Sequence, residues 1–152
     1  MSLSFDVIGR LSGKTIATAE SLTGGGIGAA LTAVPGSSAV YRGGVISYTN
    51  DVKAAVLGVS AVTLGAFGAV SEQTAGEMAT GVRRLLKTDI AVSVTGLAGP
   101  GGDEFAHPVG TVYIGYEDSC RSIVRCYRFE GDREAVRAKT VEAALQLILE
   151  FN

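Results

Sequence analysis

The chain has 152 residues, 47% of them hydrophobic and 18% charged, with a net charge of −2; this size reads as one domain burying about two thirds of its unfolded surface, and the composition excludes disorder. The near-neutral charge excludes a general nucleic-acid or membrane footprint, and one histidine with two cysteines is too few ligands for a soft-metal site. No run approaches the ~18 uninterrupted apolar residues of a membrane span, and the opening residues lack the basic start and apolar stretch of a signal peptide, so a soluble cytoplasmic protein is expected.

Residues 15–19 read as a short buried strand, and residues 21–33 as a helix ending before Pro35-Gly36. Residues 43–49 are rich in strand formers. Asn50 or Asp51 then caps a helix over 52–57, which stops at Gly58. A second short helix is expected over 60–67, and a longer one from Ser71 to about Lys87, where Ala75, Met78, Ala79, Val82, Leu85 and Leu86 recur at helical spacing. Residues 90–95 form another buried strand, running into a glycine-rich loop over 96–103. Residues 109–116 and 122–129 read as an antiparallel hairpin. Its two cysteines, Cys120 and Cys126, are expected as free thiols, a hairpin disulfide being the alternative. Asp132 caps a long final helix with Val136, Val141, Ala144, Leu145 and Ile148 on its apolar stripe.

Helices interleaved with strands imply an α/β fold, a three-layer α/β/α sandwich around a mixed, mostly parallel sheet with one antiparallel hairpin. Residues 1–152 are expected to form a single domain. Three polar segments follow strands, at 20–23, 48–51 and 95–102. Parallel strands would bring all three to one rim, where the ligand crevice of such sheets lies.

Ser21 at a strand-to-helix junction, with glycines at 24–26, can be a hydroxyl nucleophile beside free backbone N–H groups, or simply a helix cap. A base for it must be the single histidine, His107, or a desolvated lysine. Lys53 follows a rim strand in an otherwise apolar short helix, where it is either that base or an ordinary solvated lysine. Tyr48, at the strand end, can orient Lys53 or a substrate, or pack at the core edge. The loop 95–102 can cradle a phosphate or ribose with backbone amides, although it matches neither a Walker loop nor the dinucleotide fingerprint. Arg133 and Arg137 share one helix face and can grip an anion, or be solvated neighbours of the Asp132 cap.

Seven stretches in order carry a resemblance: T-A-E-S-L-T-G-G at 18–25, P-G-S-S at 35–38, G-V-I-S-Y-T-N at 44–50 with Lys53, G-A-V-S-E at 68–72, S-V-T-G-L-A-G-P at 93–100, P-V-G-T-V-Y at 108–113 and G-D-R at 131–133. Across about residues 15–148 the chain resembles the CinA C-terminal domain family. The resemblance implies an α/β/α fold and hydrolysis of the carboxamide of nicotinamide mononucleotide (NMN) to nicotinate mononucleotide and ammonia, feeding NAD recycling, by a serine–lysine mechanism with no metal or cofactor. It implies Ser21 as nucleophile, Lys53 as base and Tyr48 beside them. It further implies a pocket role for Thr23, Gly24 and the loop with Thr95, Gly96 and Gly99; beside these, Glu20 and Gly25 are expected to bind substrate and Arg133 or Arg137 to hold the phosphate.

Two departures from the family stand out. Only about 14 residues precede Thr15, where relatives carry a longer N-terminal helix, and Leu22 stands where some have cysteine. The nucleotide pyrophosphatase activity attributed to the larger domain of full-length CinA proteins is not expected. A nucleotide-binding module without catalysis, and an amidase or esterase with another small substrate, remain as alternatives. The expected partner is a small nucleotide, with no nucleic acid or membrane, in a homo-oligomer such as a dimer.

Overall fold

In the computed structural model, which describes residues 2–152, the interior strand β1 (Ile16–Glu20) is buried at every position. A parallel strand covered by helices on both faces has this character. It pairs in parallel with β2 (Tyr41–Ile46) on one side and β3 (Ile90–Gly96) on the other. β4 (Thr111–Glu117) runs antiparallel to β3, and β5 (Ser122–Arg128) antiparallel to β4, giving the order β2-β1-β3-β4-β5. The chain leaves β1 for one edge and returns on β1's other side, so the strand order reverses between β1 and β3. A crevice opens beyond the carboxyl ends of strands at such a point.

One face of the sheet is covered by α1 (Leu3–Arg10), α2 (Gly26–Thr32) and α6 (Arg133–Glu150). Val7, Ile27, Leu31, Ala144 and Ile148 pack there against Ile16, Val92 and Ile114. The other face carries α3 (Asn50–Leu57), α4 (Ala61–Phe67) and α5 (Glu72–Leu86). Leu57, Met78, Ala79 and Val82 there meet the small side chains of Ala17, Ala19 and Ala91. The alternation of β1 therefore points Ile16 and Thr18 towards α2, and Ala17 and Ala19 towards α3 and α5.

The three-layer sandwich, the hairpin and the Asp132 cap, whose side chain accepts from the Ala135 amide, match the sequence expectation. Some boundaries do not: α3, expected over 52–57 with Asn50 or Asp51 as its cap, begins at Asn50 with Thr49 as the N-cap. The strand expected over 43–49 forms at Tyr41–Ile46, because Thr49 is drawn off as the N-cap of α3 and its carbonyl accepts the Lys53 amide at 3.1 Å. The helix expected over 21–33 begins only at Gly26: Gly24 and Gly25 take φ of 58° and 101°, and residues 21–25 form turns instead. Cys120 and Cys126 are free, exposed thiols. No described helix is long and apolar enough to cross a membrane.

The α3–α5 contact depends on Gly81, where a methyl group would overlap the Leu57 backbone carbonyl. Because the obstacle is backbone, it cannot swing aside. Gly81→Ala is expected to destabilise the fold by about 1–3 kcal/mol, measured by urea denaturation, despite the better helix propensity of alanine.

Candidate functional site

Ser21 lies one residue beyond β1, and the sheet ladder still holds it. Its amide donates to the Val94 carbonyl at 3.1 Å, and the Glu20 carbonyl accepts the Ser47 amide at 2.9 Å. The side chains of Glu20 and Ser21 consequently leave the sheet on opposite faces. Glu20, 2% exposed, turns towards α2, where Oε1 accepts from the Ile27 amide at 2.8 Å and Oε2 from the Gly28 amide at 2.9 Å. The hydroxyls of Thr23 at 2.6 Å and Thr18 at 3.2 Å complete its shell. The N-cap of α2 is Gly25, which has no side chain to offer, so Glu20 supplies the acceptor that the first turn lacks. Tyr41 closes the network on Thr18 at 2.8 Å, and an added Cβ at Gly28 would lie 2.7 Å from that phenol oxygen.

On the other face Ser21 meets Lys53. The Lys53 side chain is 1% exposed, and Nζ lies 3.1 Å from Ser21 Oγ, 2.6 Å from the Ser47 carbonyl and 3.4 Å from the Tyr48 carbonyl. Among the described residues it has no carboxylate partner. Burial without a counter-charge pushes its pKa down from 10.5 to about 8. Three oxygen neighbours suit both protonation states. The ammonium donates to all three, whereas the neutral amine donates to the two carbonyls and turns its lone pair to the Ser21 hydroxyl.

The pair opens on a cleft of about 440 Å³, the size of a small-ligand site. Ser21, Leu22 and Lys53 lie at one side, with Tyr48 and Asn50 beside them and residues 95–104 opposite. Arg133 reaches in from the start of α6, donating to the Gly99 carbonyl at 2.7 Å and to the Tyr48 hydroxyl at 3.1 Å. Five N–H donors on a guanidinium leave others free for a ligand. The amides of Leu22 and Thr23 donate to no protein acceptor among the described residues, although both residues are nearly buried. No group of three or more His, Cys, Asp or Glu side chains is arranged there to hold a metal ion, among those residues.

The sequence profile of the CinA C-terminal domain matches residues 4–152. The chain belongs to the CinA C-terminal domain family. It is 50% identical over 148 residues to a Desulforamulus reducens protein named as competence-damage inducible, covering 95% of this chain and 36% of that protein. A CinA-like protein of Endomicrobium trichonymphae is 47% identical over 145 residues, covering 93% of the chain and 34% of the relative. The chain thus spans about a third of the length of these relatives. Among solved structures, the competence/damage inducible protein CihA of Agrobacterium tumefaciens superposes with a TM-score of 0.94 at 41% identity, covering 97% of this chain and 92% of that one. The competence damage-inducible protein A of Klebsiella pneumoniae gives 0.92 at 39%, covering 97% and 93%.

In this CinA C-terminal domain, Ser21, Lys53, Tyr48, Thr95, Gly96, Gly99 and Arg133 come together at the cleft. Tyr48 is 58% exposed, and its hydroxyl meets Arg133 while only its carbonyl faces Lys53. Thr95 spends its hydroxyl on the Ala69 carbonyl at 2.8 Å. Glu20, Thr23, Gly24, Gly25 and Arg137 do not line the cleft; they build the turn behind it. The glycines there serve a positive-φ turn and the packing of α2. His107 is paired with Asp103 at 2.7 Å and lies away from Ser21. Asn50, Val70, Asp103 and Glu104 line the cleft without having been singled out as site residues. Asn50 and Val70 had a signal, since they lie in the G-V-I-S-Y-T-N and G-A-V-S-E stretches, and Asp103 ends the glycine-rich loop; Glu104 had none.

Glu20→Ala is expected to lower unfolding free energy by about 3 kcal/mol or more, because it strands two amides and two hydroxyls in the interior. Urea denaturation followed by circular dichroism would measure it, and a loss below about 1 kcal/mol would contradict the capping role.

Proposed function

We propose that the chain hydrolyses the carboxamide of NMN to nicotinate mononucleotide and ammonia, with Ser21 as nucleophile and Lys53 as general base. The observation that carries this reading is the 3.1 Å contact between Ser21 Oγ and a buried, uncompensated lysine amine. Serine needs a base to become nucleophilic, and a desolvated lysine is one of the side chains that supply it near neutral pH. Family membership adds support, because the matched profile covers every residue of this arrangement.

Ser21 Oγ attacks the carboxamide carbon while its proton passes to Lys53. The tetrahedral oxyanion takes the amide of Leu22, which lines the cleft and has no protein acceptor among the described residues. The C–N bond then breaks, Lys53 returns the proton to nitrogen, and ammonia departs. Water attacks the resulting ester, Lys53 accepts a proton from it, and collapse releases the pyridine carboxylate and restores Ser21. Arg133, with the backbone of residues 96–102, holds the phosphate and ribose. The product would re-enter NAD supply.

Ammonia release from NMN by purified protein tests the reading directly. Ser21→Ala is expected to lower kcat by about 10³-fold or more, since removing one member disables such a unit. NMN binding with no turnover by the wild type would make the chain a nucleotide-binding module instead. Neutral Lys53 is the active form, so with a pKa of about 8 the rate should rise with pH through that value and level off above it. A rate that falls across the same interval would overturn the base assignment. Arg133→Ala should raise KM for NMN about 10-fold or more and affect an unphosphorylated nicotinamide riboside much less, read from steady-state kinetics on both.

A further inference from the structure

Arg137 sits one helical turn beyond Arg133, yet it is turned away from the cleft and onto the nucleophile's own loop. Its Nε donates to the Leu22 carbonyl at 2.9 Å and its Nη2 to the Thr23 carbonyl at 3.2 Å. It forms no ion pair with a carboxylate among the described residues, so its charge is committed to these two oxygens. A rigid guanidinium fork on successive carbonyls holds two peptide planes at once.

The consequence follows from peptide geometry. In a trans peptide the C=O and N–H point in opposite directions. With the Leu22 carbonyl turned to Arg137, the Thr23 N–H faces the other side. The Ser21 carbonyl accepts the Gly24 amide at 3.1 Å, which turns the Leu22 N–H away from the loop interior. Neither of these amides has an acceptor among the described residues, and the two residues are 4% and 2% exposed. Buried amides without an acceptor are rare in folded proteins. A cation on the carbonyl of a peptide also polarises it and strengthens its N–H as a donor.

We propose that Arg137 is a positioning residue for this reaction: by clamping the Leu22 and Thr23 carbonyls it fixes the turn and, through the Gly24 amide that donates to the Ser21 carbonyl, aims and polarises the Leu22 amide that receives the oxyanion. It does not touch the substrate. The inference rests on Ser21 being the nucleophile, but not on NMN being the substrate.

The test compares wild type, Arg137→Ala and Arg137→Lys in two assays, with Ser21→Ala as the blank and melting midpoints recorded for each. In the first, ammonia release from NMN, Arg137→Ala should lower kcat about 100-fold with KM changed less than about twofold, because the lost interaction is realised in the transition state. In the second, phenylmethanesulfonyl fluoride modifies Ser21: the Oγ–S bond forms, the S–F bond breaks, fluoride leaves and the serine proton passes to Lys53. Intact mass against time gives the rate, which should fall about 100-fold in Arg137→Ala and at least about tenfold in Arg137→Lys, which keeps the charge but not the fork.

Variants labelled at the wild-type rate, or a raised KM with kcat retained, would overturn the proposal. If Arg137→Ala does not fold, Arg137→Lys decides. Loss of fold in both would make the contact a structural tie and overturn the positioning role. Wild type labelled at Ser21 but inert towards NMN would sink the NMN reading alone and leave the labelling rates to judge Arg137. Wild type silent in both assays would sink both.

Discussion

Among the described residues nothing of opposite charge accompanies the buried amine of Lys53, and the candidate chemistry depends on that single fact. A lysine in water is protonated and useless as a base at neutral pH. The ammonium of Lys53 would have to be satisfied by one hydroxyl and two carbonyls alone. Dipoles offset only part of the lost hydration, so the neutral form gains ground. A carboxylate in the same place would hold the proton and switch the base off. The buried acid that is present, Glu20, lies on the opposite face of β1, occupied by α2 and two threonines.

That separation follows from the two-residue period of a strand. Adjacent positions at the end of β1 carry an acid to one face and a hydroxyl to the other. The acid secures the start of α2, and the hydroxyl enters the cleft. The turn joining them is held from two directions, by Glu20 at the first amides of α2 and by Arg137 at the carbonyls of residues 22 and 23. A loop fixed at both its amides and its carbonyls has little freedom left, as preorganised donors require. The strand order adds the remaining part, since the reversal between β1 and β3 sets the glycine-rich loop opposite Ser21.

Much of this was legible in the chain itself. Continuous apolar character marked β1 and β3 as buried parallel strands, helical spacing marked α5 and α6, and polar residues after three strands marked the rim. Ser21 and Lys53 stood out as candidates, and the structure brings them into contact. The candidates that the structure sets behind the cleft share a cause. Glu20, Thr23 and Arg137 looked like ligand-binding groups because acids, hydroxyls and arginines beside glycines suit a ligand and a backbone turn equally well. Local pattern does not tell a free donor from one whose partner lies 115 positions away, as Leu22 does from Arg137. The start of α2 was misplaced for a related reason: glycines near a helix start permit either helical or left-handed backbone, and the Glu20 contacts and packing chose the latter.

What the sequence determined by itself was periodicity and chemistry: which segments are strands and helices, which faces are apolar, and which reactive side chains follow strands. These depend on spacing along one segment, and spacing is written in the order of residues. Only the tertiary structure decided which of those side chains point into the cleft and which are used up behind it. Among the described residues it also left the Lys53 amine without a carboxylate and the Leu22 and Thr23 amides without acceptors. Desolvation and unpaired donors are properties of the whole packed environment, assembled from β1, β2, β3, α3 and α6 together, and no single segment contains them.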